Sequence, residues 1–109
     1  MKTLHLVLKS KWYDMIASGI KTEEYREIKP YWIKRLCTCL FIGTQRCYHC
    51  QANRYVECLR NFNEVCFSRG YSDVTMTYQV KGIFIGDGKP EWGAPNENVF
   101  IIKLGRRIE

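Results

Sequence analysis

The segment KTEEYRE (residues 21–27) places an ammonium, a carboxylate and a guanidinium group close together, at Lys21, Glu24 and Arg26. Groups of these types can bind a nucleotide: Lys21 would bind phosphate or an exocyclic carbonyl oxygen, and Glu24 would accept from a base amino group. Arg26 would orient Glu24 or bind phosphate through two parallel hydrogen bonds. A carboxylate beside a cation can also act as a general base on water, so hydrolysis is a second possible chemistry.

The same three residues can also be interpreted as purely structural. If residues 21–27 form a strand, Lys21 and Tyr25 lie on one face while Glu24 and Arg26 lie on the other, because side chains alternate along a strand. Each face then carries charge, which favours a solvent-filled groove on at least one side, and twist or a bulge would bring Lys21 to Glu24. The alternative is a structural ion-pair cluster whose carboxylates are fully hydrogen-bonded.

Aromatic residues near segment ends or in loops are candidates for stacking an unpaired base. There are six of them: Trp12, Tyr25, Tyr31, Trp32, Tyr71 and Trp92. Most of these are expected to be core residues, and Trp12 is assigned to the packed face of a helix. Trp32 and Trp92 are retained as predicted ligand contacts, since Trp92 lies in KPEWGAP, where glycine and proline indicate a loop. Arg69 in SRGY is expected to contribute to a basic rim.

The six cysteines are interpreted as reduced thiols rather than as a disulfide framework. Cys47 and Cys50 in CYHC have the spacing of half a zinc site, which Cys37 and Cys39 could complete. CTC within an apolar run is more simply two small buried residues, so we expect no metal and no cofactor. GDGKP lacks the spacing of a phosphate-binding loop, and the two histidines suggest no Ser-His-Asp set.

The elements that must position these groups follow from periodicity. Alternating leucines predict a half-buried strand at Thr3–Lys9, and a short helix should follow with Ser10 as its N-cap and Gly19 at its end. A helical turn is predicted from Pro30 and a helix over 52–61. CTCLFIG and three later runs, NEVCFSRG, MTYQVKGIFIGDG and NVFIIKLGRR, predict strands. Because strands predominate without regular strand-helix alternation, we predict a mainly β fold with short helices, in the α+β class, curled into a small mixed barrel.

Composition narrows the class of partner. Seventeen Lys and Arg against eleven Asp and Glu give a net charge of +6, which favours a polyanion such as nucleic acid, although many small proteins carry such a surplus without one. The amino terminus has no apolar stretch long enough for a signal peptide. The longest apolar runs are far shorter than the roughly 20 residues that a membrane span needs. We therefore expect a cytoplasmic protein with no membrane partner.

Several segments resemble the ASCH domain (activating signal cointegrator homology), a member of the PUA-like barrel superfamily. MIASGIKTEEYR looks like the helix and Gly-x-Lys-x-x-x-x-Arg strand of that family, and VCFSRGY, VKGIFIGDG and VFIIKLGRR look like its closing strands. The resemblance covers most of the chain and is thinnest over 45–60, which looks like a cysteine-bearing insertion. It implies one domain over 1–109, a PUA-like barrel with a cleft beside the Lys21 strand, and RNA binding.

The resemblance also raises an enzymatic alternative. Some compact bacterial members deacetylate acetylcytidine with a lysine, a threonine three residues later and a glutamate near the other end of the chain. Lys21 and Arg26 keep their places here, but Glu24 occupies the threonine position. A carboxylate is a poor substitute for a hydroxyl in amide cleavage, because it would form a labile mixed anhydride. Thr22 would point to the opposite face of the strand.

The sequence thus predicts an RNA-binding module that recognises RNA or a nucleotide without covalent catalysis. Its predicted ligand-binding residues are Lys21, Glu24, Arg26, Trp32, Arg69 and Trp92. The alternative is a small amidohydrolase acting on a modified nucleoside such as acetylcytidine, with Lys21 and Glu24 as catalytic residues. A protein-interaction domain in which the charge is incidental is a third possibility.

Overall fold

The computed structural model describes residues 2–36 and 62–109, and all structural statements below concern these residues. They form β1 (Thr3–Leu8), α1 (Ser10–Ala17), β2 (Glu23–Glu27), α2 (Pro30–Leu36), β3 (Glu64–Arg69), β4 (Thr75–Asp87) and β5 (Asn98–Arg107). A 3-10 turn at Pro90–Trp92 lies in the connecting loop 88–97 between β4 and β5. The predicted CTCLFIG strand, the helix over 52–61 and the insertion over 45–60 lie outside the described residues.

The strands form one curled mixed sheet with the order β1-β3-β4-β5-β2. β1 is parallel to β3, and the remaining neighbours are antiparallel. The prediction of a mainly β fold with short helices is confirmed, and the sheet curls into a half-barrel. Among the strands of residues 2–36 and 62–109, β1 and β2 are the two edges, so the side chains that follow each of them can meet across the open side.

The main core packs the two α-helices against the strands of this sheet. The leucines of β1 alternate as predicted, and Leu4, Leu6 and Leu8 are buried. Tyr13 and Ile16 of α1 pack into the same cluster, as do residues of α2, β3, β4 and β5. Burying each such side chain contributes about 1.5–3 kcal/mol, and this packing fixes α1 and α2 against the sheet.

A second, smaller core covers the other face of β5. Val99 and Ile101 pack with Tyr25 of β2 and with Ala94 of the connecting loop, while Trp92 packs at the edge of this cluster. β5 is therefore buried on both faces, which explains why NVFIIKL reads as an unbroken apolar run rather than an alternating one. The second core is what holds the connecting loop, and with it Trp92, against β2.

Helix α1 begins one residue earlier than the sequence predicts. Lys9, with an extended backbone, is the N-cap residue, and its carbonyl accepts from the backbone N–H groups of Trp12 and Tyr13 at 3.0 and 3.1 Å. Ser10 is consequently the first helical residue, and Lys9 makes no side-chain cap. The chain leaves the helix at Gly19, whose φ of +84° is a conformation that glycine adopts without steric cost.

Candidate functional site

A cavity of about 720 Å³ opens between the two edge strands, within the roughly 300–1,000 Å³ range of small-ligand sites. Its walls come from β1, β2, both α-helices and the connecting loop. The turn that follows β3 also contributes. These four elements and two loops therefore converge on one concavity at the open side of the half-barrel.

Lys21 lies at the base of this cavity and is 2% exposed. Its Nζ donates to Glu24 Oε1 and to the backbone oxygen of Trp92, both at 2.8 Å. The same nitrogen lies 4.7 Å from the Trp12 ring centroid and 5.4 Å from that of Tyr25. One carboxylate, one carbonyl and two aromatic rings thus replace the water that the buried ammonium has lost.

Glu24 is 4% exposed, and both of its carboxylate oxygens are occupied. Oε1 accepts from Lys21 Nζ and, at 3.0 Å, from the backbone N–H of Tyr25. Oε2 lies 3.0 Å from Arg26 Nη1. A buried carboxylate between two cations is stable only when its oxygens are satisfied in this way.

Arg26 connects the charge cluster (Lys21, Glu24 and Arg26) to the walls of the cavity. Its Nη1 donates to the Tyr25 carbonyl at 2.7 Å, and its Nη2 reaches the Val7 carbonyl of β1 at 3.4 Å. Its guanidinium carbon lies 5.1 Å from the Trp32 ring centroid. Arg26 therefore links the two edge strands and stacks against α2.

The charge cluster forms because Lys21 is not on the strand. β2 begins at Glu23, and Lys21 lies in the turn that follows α1, where its backbone N–H donates to the Met15 carbonyl at 3.0 Å. The expectation that strand alternation separates Lys21 from Glu24 was therefore wrong. No bulge is needed for the two side chains to meet, since the turn places the ammonium beside the carboxylate.

Trp12 is a site residue that the sequence interpretation assigned to the core. Tyr13 takes the buried position on α1, while Trp12 is half-buried and lines the cavity. Gly93 has a φ of +95°, and a Cβ there would lie 2.8 Å from the Trp12 ring. In the sequence, the glycine that follows Trp92 is the residue that could have indicated this contact. A glycine there allows the connecting loop to pass closely over an aromatic ring.

α2 supplies two rings and a cation to the cavity wall. Tyr31 meets Trp32 edge-on, with ring centroids 4.8 Å apart. Arg35 Nη1 donates to the Tyr31 hydroxyl at 3.1 Å, and its guanidinium carbon lies 5.7 Å from the centroid of each ring. Trp32 thus has guanidinium groups from both Arg26 and Arg35 within cation–π range, which holds the ring in place.

Tyr25 fastens the connecting loop to β2. Its hydroxyl donates to Glu23 Oε1 at 2.8 Å and accepts from the Lys89 backbone N–H at 3.0 Å. Burial raises the pKa of Tyr25 well above its ordinary value of 10.0; the Lys89 N–H opposes this increase, and the Glu23 carboxylate adds to it. The neutral phenol is therefore the form that the fold requires.

The cavity is cationic on balance. Its lining includes four cationic side chains, those of Lys9, Lys21, Arg26 and Arg35, against two carboxylates, those of Glu24 and Glu27. Both carboxylates are already paired, Glu24 within the charge cluster and Glu27 with Lys29 Nζ at 2.8 Å. The lining therefore favours an anionic ligand.

Five of the six predicted ligand-binding residues line the cavity: Lys21, Glu24, Arg26, Trp32 and Trp92. Arg69 does not; its Nε and Nη2 donate to the Asp14 carboxylate oxygens, each at 3.0 Å. These hydrogen bonds lower the pKa of Asp14 and raise that of Arg69. Arg69 therefore ties the end of β3 to α1.

Residues 2–36 and 62–109 contain no group of three or more His, Cys, Asp or Glu side chains with metal-site geometry. Cys37, Cys39, Cys47 and Cys50 lie outside these ranges, so the zinc alternative stays a sequence hypothesis. None of the helices in these ranges has the length and apolar character needed to span a bilayer.

No family model, curated protein or solved structure matches this chain. The ASCH resemblance therefore rests on the motifs of the sequence and remains an expectation, as does the PUA-like assignment.

Proposed function

We propose that the cavity binds a base or nucleotide of RNA without covalent catalysis. The observation that supports this most directly is the charge cluster at the base of a cationic cavity whose walls carry Trp12, Trp32 and Trp92. Flat aromatic rings next to cations suit a ligand that joins a planar base to a phosphate. The net charge of the chain and its ASCH resemblance agree with this proposal.

The charge cluster has a structural role within the proposed site. Lys21 and Glu24 are almost fully buried and bonded to each other, as the structural ion-pair interpretation expects. An ammonium has three N–H donors, and the structure gives Lys21 two acceptors among the described residues. The Trp12 and Tyr25 rings also lie against the ammonium, and the side chains of Lys21 and Glu24 are only 1% and 5% exposed. This pair would therefore act by holding Arg26 in position rather than by contacting the ligand.

The walls and the mouth of the cavity would supply the remaining contacts. The Trp32 and Trp92 rings offer surfaces on which a base can stack, at about 1–3 kcal/mol for each stacked base. Lys9 and Arg35 are exposed lining residues and would meet the phosphates. Binding should then weaken as salt rises, since phosphate contacts release counterions.

The test is a titration of the protein with single-stranded RNA at several salt concentrations, with Arg35→Gln as the variant. Because Arg35 lines the cavity, its loss should weaken binding several-fold and reduce the magnitude of the salt slope by about 0.7, the value for one phosphate contact to a single strand. Arg106→Gln is the matched control, because Arg106 is an exposed arginine of β5 outside the cavity lining.

Two outcomes would contradict the proposal. Undetectable or salt-independent RNA binding by the unaltered protein would exclude a phosphate-based interaction. Equal losses in the Arg35→Gln and Arg106→Gln variants would show that RNA follows the general positive charge of the chain rather than the cavity.

The amidohydrolase alternative is supported by one contact, the 2.8 Å pair between Lys21 Nζ and Glu24 Oε1 in the cavity lining. Against it, both oxygens of Glu24 are occupied, and Thr22 is exposed beside a different surface concavity. Incubation with acetylcytidine followed by chromatographic detection of cytidine distinguishes the two functions. Release of cytidine that is lost in a Lys21→Met variant shown by urea unfolding to be folded would establish the hydrolase, and no release is what the binding module predicts.

A further inference from the structure

Exposed apolar surface is concentrated at the mouth of the cavity. Among residues 2–36 and 62–109, seven large hydrophobic side chains are exposed, and three of these, Val7, Tyr31 and Tyr71, line the cavity. These three residues form the rim. Scattered exposed hydrophobic residues are ordinary in soluble proteins, but several around one concavity indicate a contact surface.

Tyr71 is 99% exposed and is carried by a turn that is firmly held. Gly70, with a φ of +59°, donates its backbone N–H to the Leu8 carbonyl at 2.7 Å, which attaches the turn to β1. Arg69 N–H donates to the Val74 carbonyl at 2.9 Å, closing the hairpin between β3 and β4. The turn is thus fixed by backbone bonds while its tyrosine makes no hydrogen bond or ring contact with the rest of the described chain.

Tyr31 is 60% exposed and is oriented by its neighbours on α2. The edge-on contact with Trp32 and the hydrogen bond from Arg35 Nη1 constrain the ring without covering it. Its position on the first turn of α2 places it in the lining of the same cavity as Tyr71. The rim therefore presents two tyrosine rings from different elements, each on a fixed backbone.

We propose that Tyr31 and Tyr71 stack a second base next to the one held in the cavity, so that the ligand is single-stranded RNA of at least two nucleotides rather than a free nucleotide. This inference rests on the proposed function and specifies its substrate class. Stacking on aromatic side chains tolerates any base, because every base has a π face.

The charges at the rim favour a nucleic acid strand over an apolar peptide. Lys9 and Arg35 lie beside the rim in the cavity lining, and the carboxylates of the lining are already paired. A strand with one phosphate for each base could contact both the exposed rings and the cations of the lining. An apolar peptide would leave these cations without counter-charges.

The intrinsic fluorescence of the protein provides a test without labels, because all three tryptophans line the cavity. Quenching would be titrated with each of the four ribonucleoside monophosphates and with the corresponding homo-tetranucleotides. We expect Tyr71→Ala to weaken the best tetranucleotide about tenfold and the best mononucleotide less than threefold, since a single nucleotide leaves the rim empty. Tyr71→Phe keeps the ring and should restore tetranucleotide affinity.

Phe84→Ala is the matched control, because Phe84 is another exposed aromatic residue that does not line the cavity. If the best tetranucleotide binds Tyr71→Ala as tightly as the unaltered protein, while mononucleotides still bind, the rim inference is overturned and the proposed function stands. If neither mononucleotides nor tetranucleotides bind the unaltered protein, both are overturned. Equal losses in Tyr71→Ala and Phe84→Ala would also overturn the rim inference.

Discussion

At the scale of single residues, the charge cluster combines two roles that the sequence presented as alternatives. Lys21 and Glu24 are buried and satisfied by protein groups, which is the signature of a structural ion pair. They also form the base of the cavity that carries the aromatic walls. A buried ion pair is weak evidence of stability by itself, but removing one partner leaves the other charge buried and unpaired.

Glu24→Gln should therefore destabilise the protein by about 3–5 kcal/mol, because Lys21 and Arg26 lose their common carboxylate. Glu27→Gln is the matched control, since Glu27 lies three residues further along in β2 and its carboxylate and its Lys29 partner are both exposed. The control should cost less than about 1 kcal/mol. Urea unfolding measures both variants, and similar small losses would show that water, not protein, solvates Glu24.

At the scale of elements, the site depends on how closely the connecting loop passes over α1. Gly93 has a positive φ, and its missing side chain leaves space for the Trp12 ring. The Trp92 carbonyl that accepts from Lys21 belongs to the preceding residue. The backbone conformation at Gly93 and the position of the Lys21 ammonium are therefore coupled.

Gly93→Ala should perturb this arrangement in two ways: backbone strain, and a Cβ placed 2.8 Å from the Trp12 ring. Gly19→Ala separates the two effects, because Gly19 also has a positive φ of +84° but nothing lies within 4 Å of a Cβ there. We expect about 1–2 kcal/mol of destabilisation for Gly19→Ala, and more for Gly93→Ala.

Urea unfolding and tryptophan emission would be compared in both variants. A shift in emission is expected for Gly93→Ala alone, because Trp12 must move. If the two variants have equal stability and unchanged emission, the close approach of the loop to Trp12 does not exist in solution.

The elements differ in how well their sequence predicts them. The strand β1 follows directly from its alternating leucines, since a half-buried strand requires that period. Lys21 was misplaced because charged residues carry no such burial pattern, and the turn that positions it is defined by a backbone bond to Met15. Trp12 was misassigned because helical spacing identifies a face but not which neighbour reaches deepest into the core.

At the scale of the whole molecule, the sequence predicts the class but not the cavity. Strand-rich composition and short helices indicated a mainly β fold, which the structure confirms. The cavity depends on a strand order, β1-β3-β4-β5-β2, that leaves β1 and β2 as edges. No local pattern specifies which strands remain at the edges, because strand pairing over long sequence separations is set by the packing of the entire core.

The positive charge of the molecule is also distributed over more than one surface. Lys81, Lys103 and Arg106 surround a second concavity of about 540 Å³, lined on another side by Thr22 and Glu23. A polyanion can therefore contact the protein away from the candidate site. For this reason the comparison of Arg35 with Arg106 carries more weight than RNA affinity alone.

The stability of the folded protein should also respond to alkaline pH through Tyr25, which joins the connecting loop to β2. Its pKa is raised in the folded protein, so between about pH 10 and the folded value the unfolded chain loses the phenol proton while the folded protein retains it. The stabilisation that comes from the protonated Tyr25 phenol is complete below pH 10.0, the ordinary pKa of a phenol. It is lost as the pH rises from 10.0 towards the higher pKa of Tyr25 in the folded protein. Urea unfolding at pH 8, 10 and 11 should therefore show a decreasing free energy of unfolding, by up to about 1.4 kcal/mol per pH unit.

Tyr25→Phe removes the ionisable group, so the free energy of unfolding of this variant should decrease less steeply over the same pH range. At pH 8 the variant should already be less stable than the unaltered protein by about 1 kcal/mol, because the hydrogen bonds of the Tyr25 hydroxyl are lost. Tyr71→Phe is the control for a tyrosine that is fully exposed and should retain the slope of the unaltered protein. Parallel pH profiles for Tyr25→Phe and the unaltered protein would mean that lysine deprotonation, rather than the buried phenol, governs alkaline unfolding. The second core would then not depend on a neutral Tyr25, and the attachment of Trp92 beside Lys21 would rest on apolar packing and on the hydrogen bond from Lys21 Nζ to the Trp92 carbonyl.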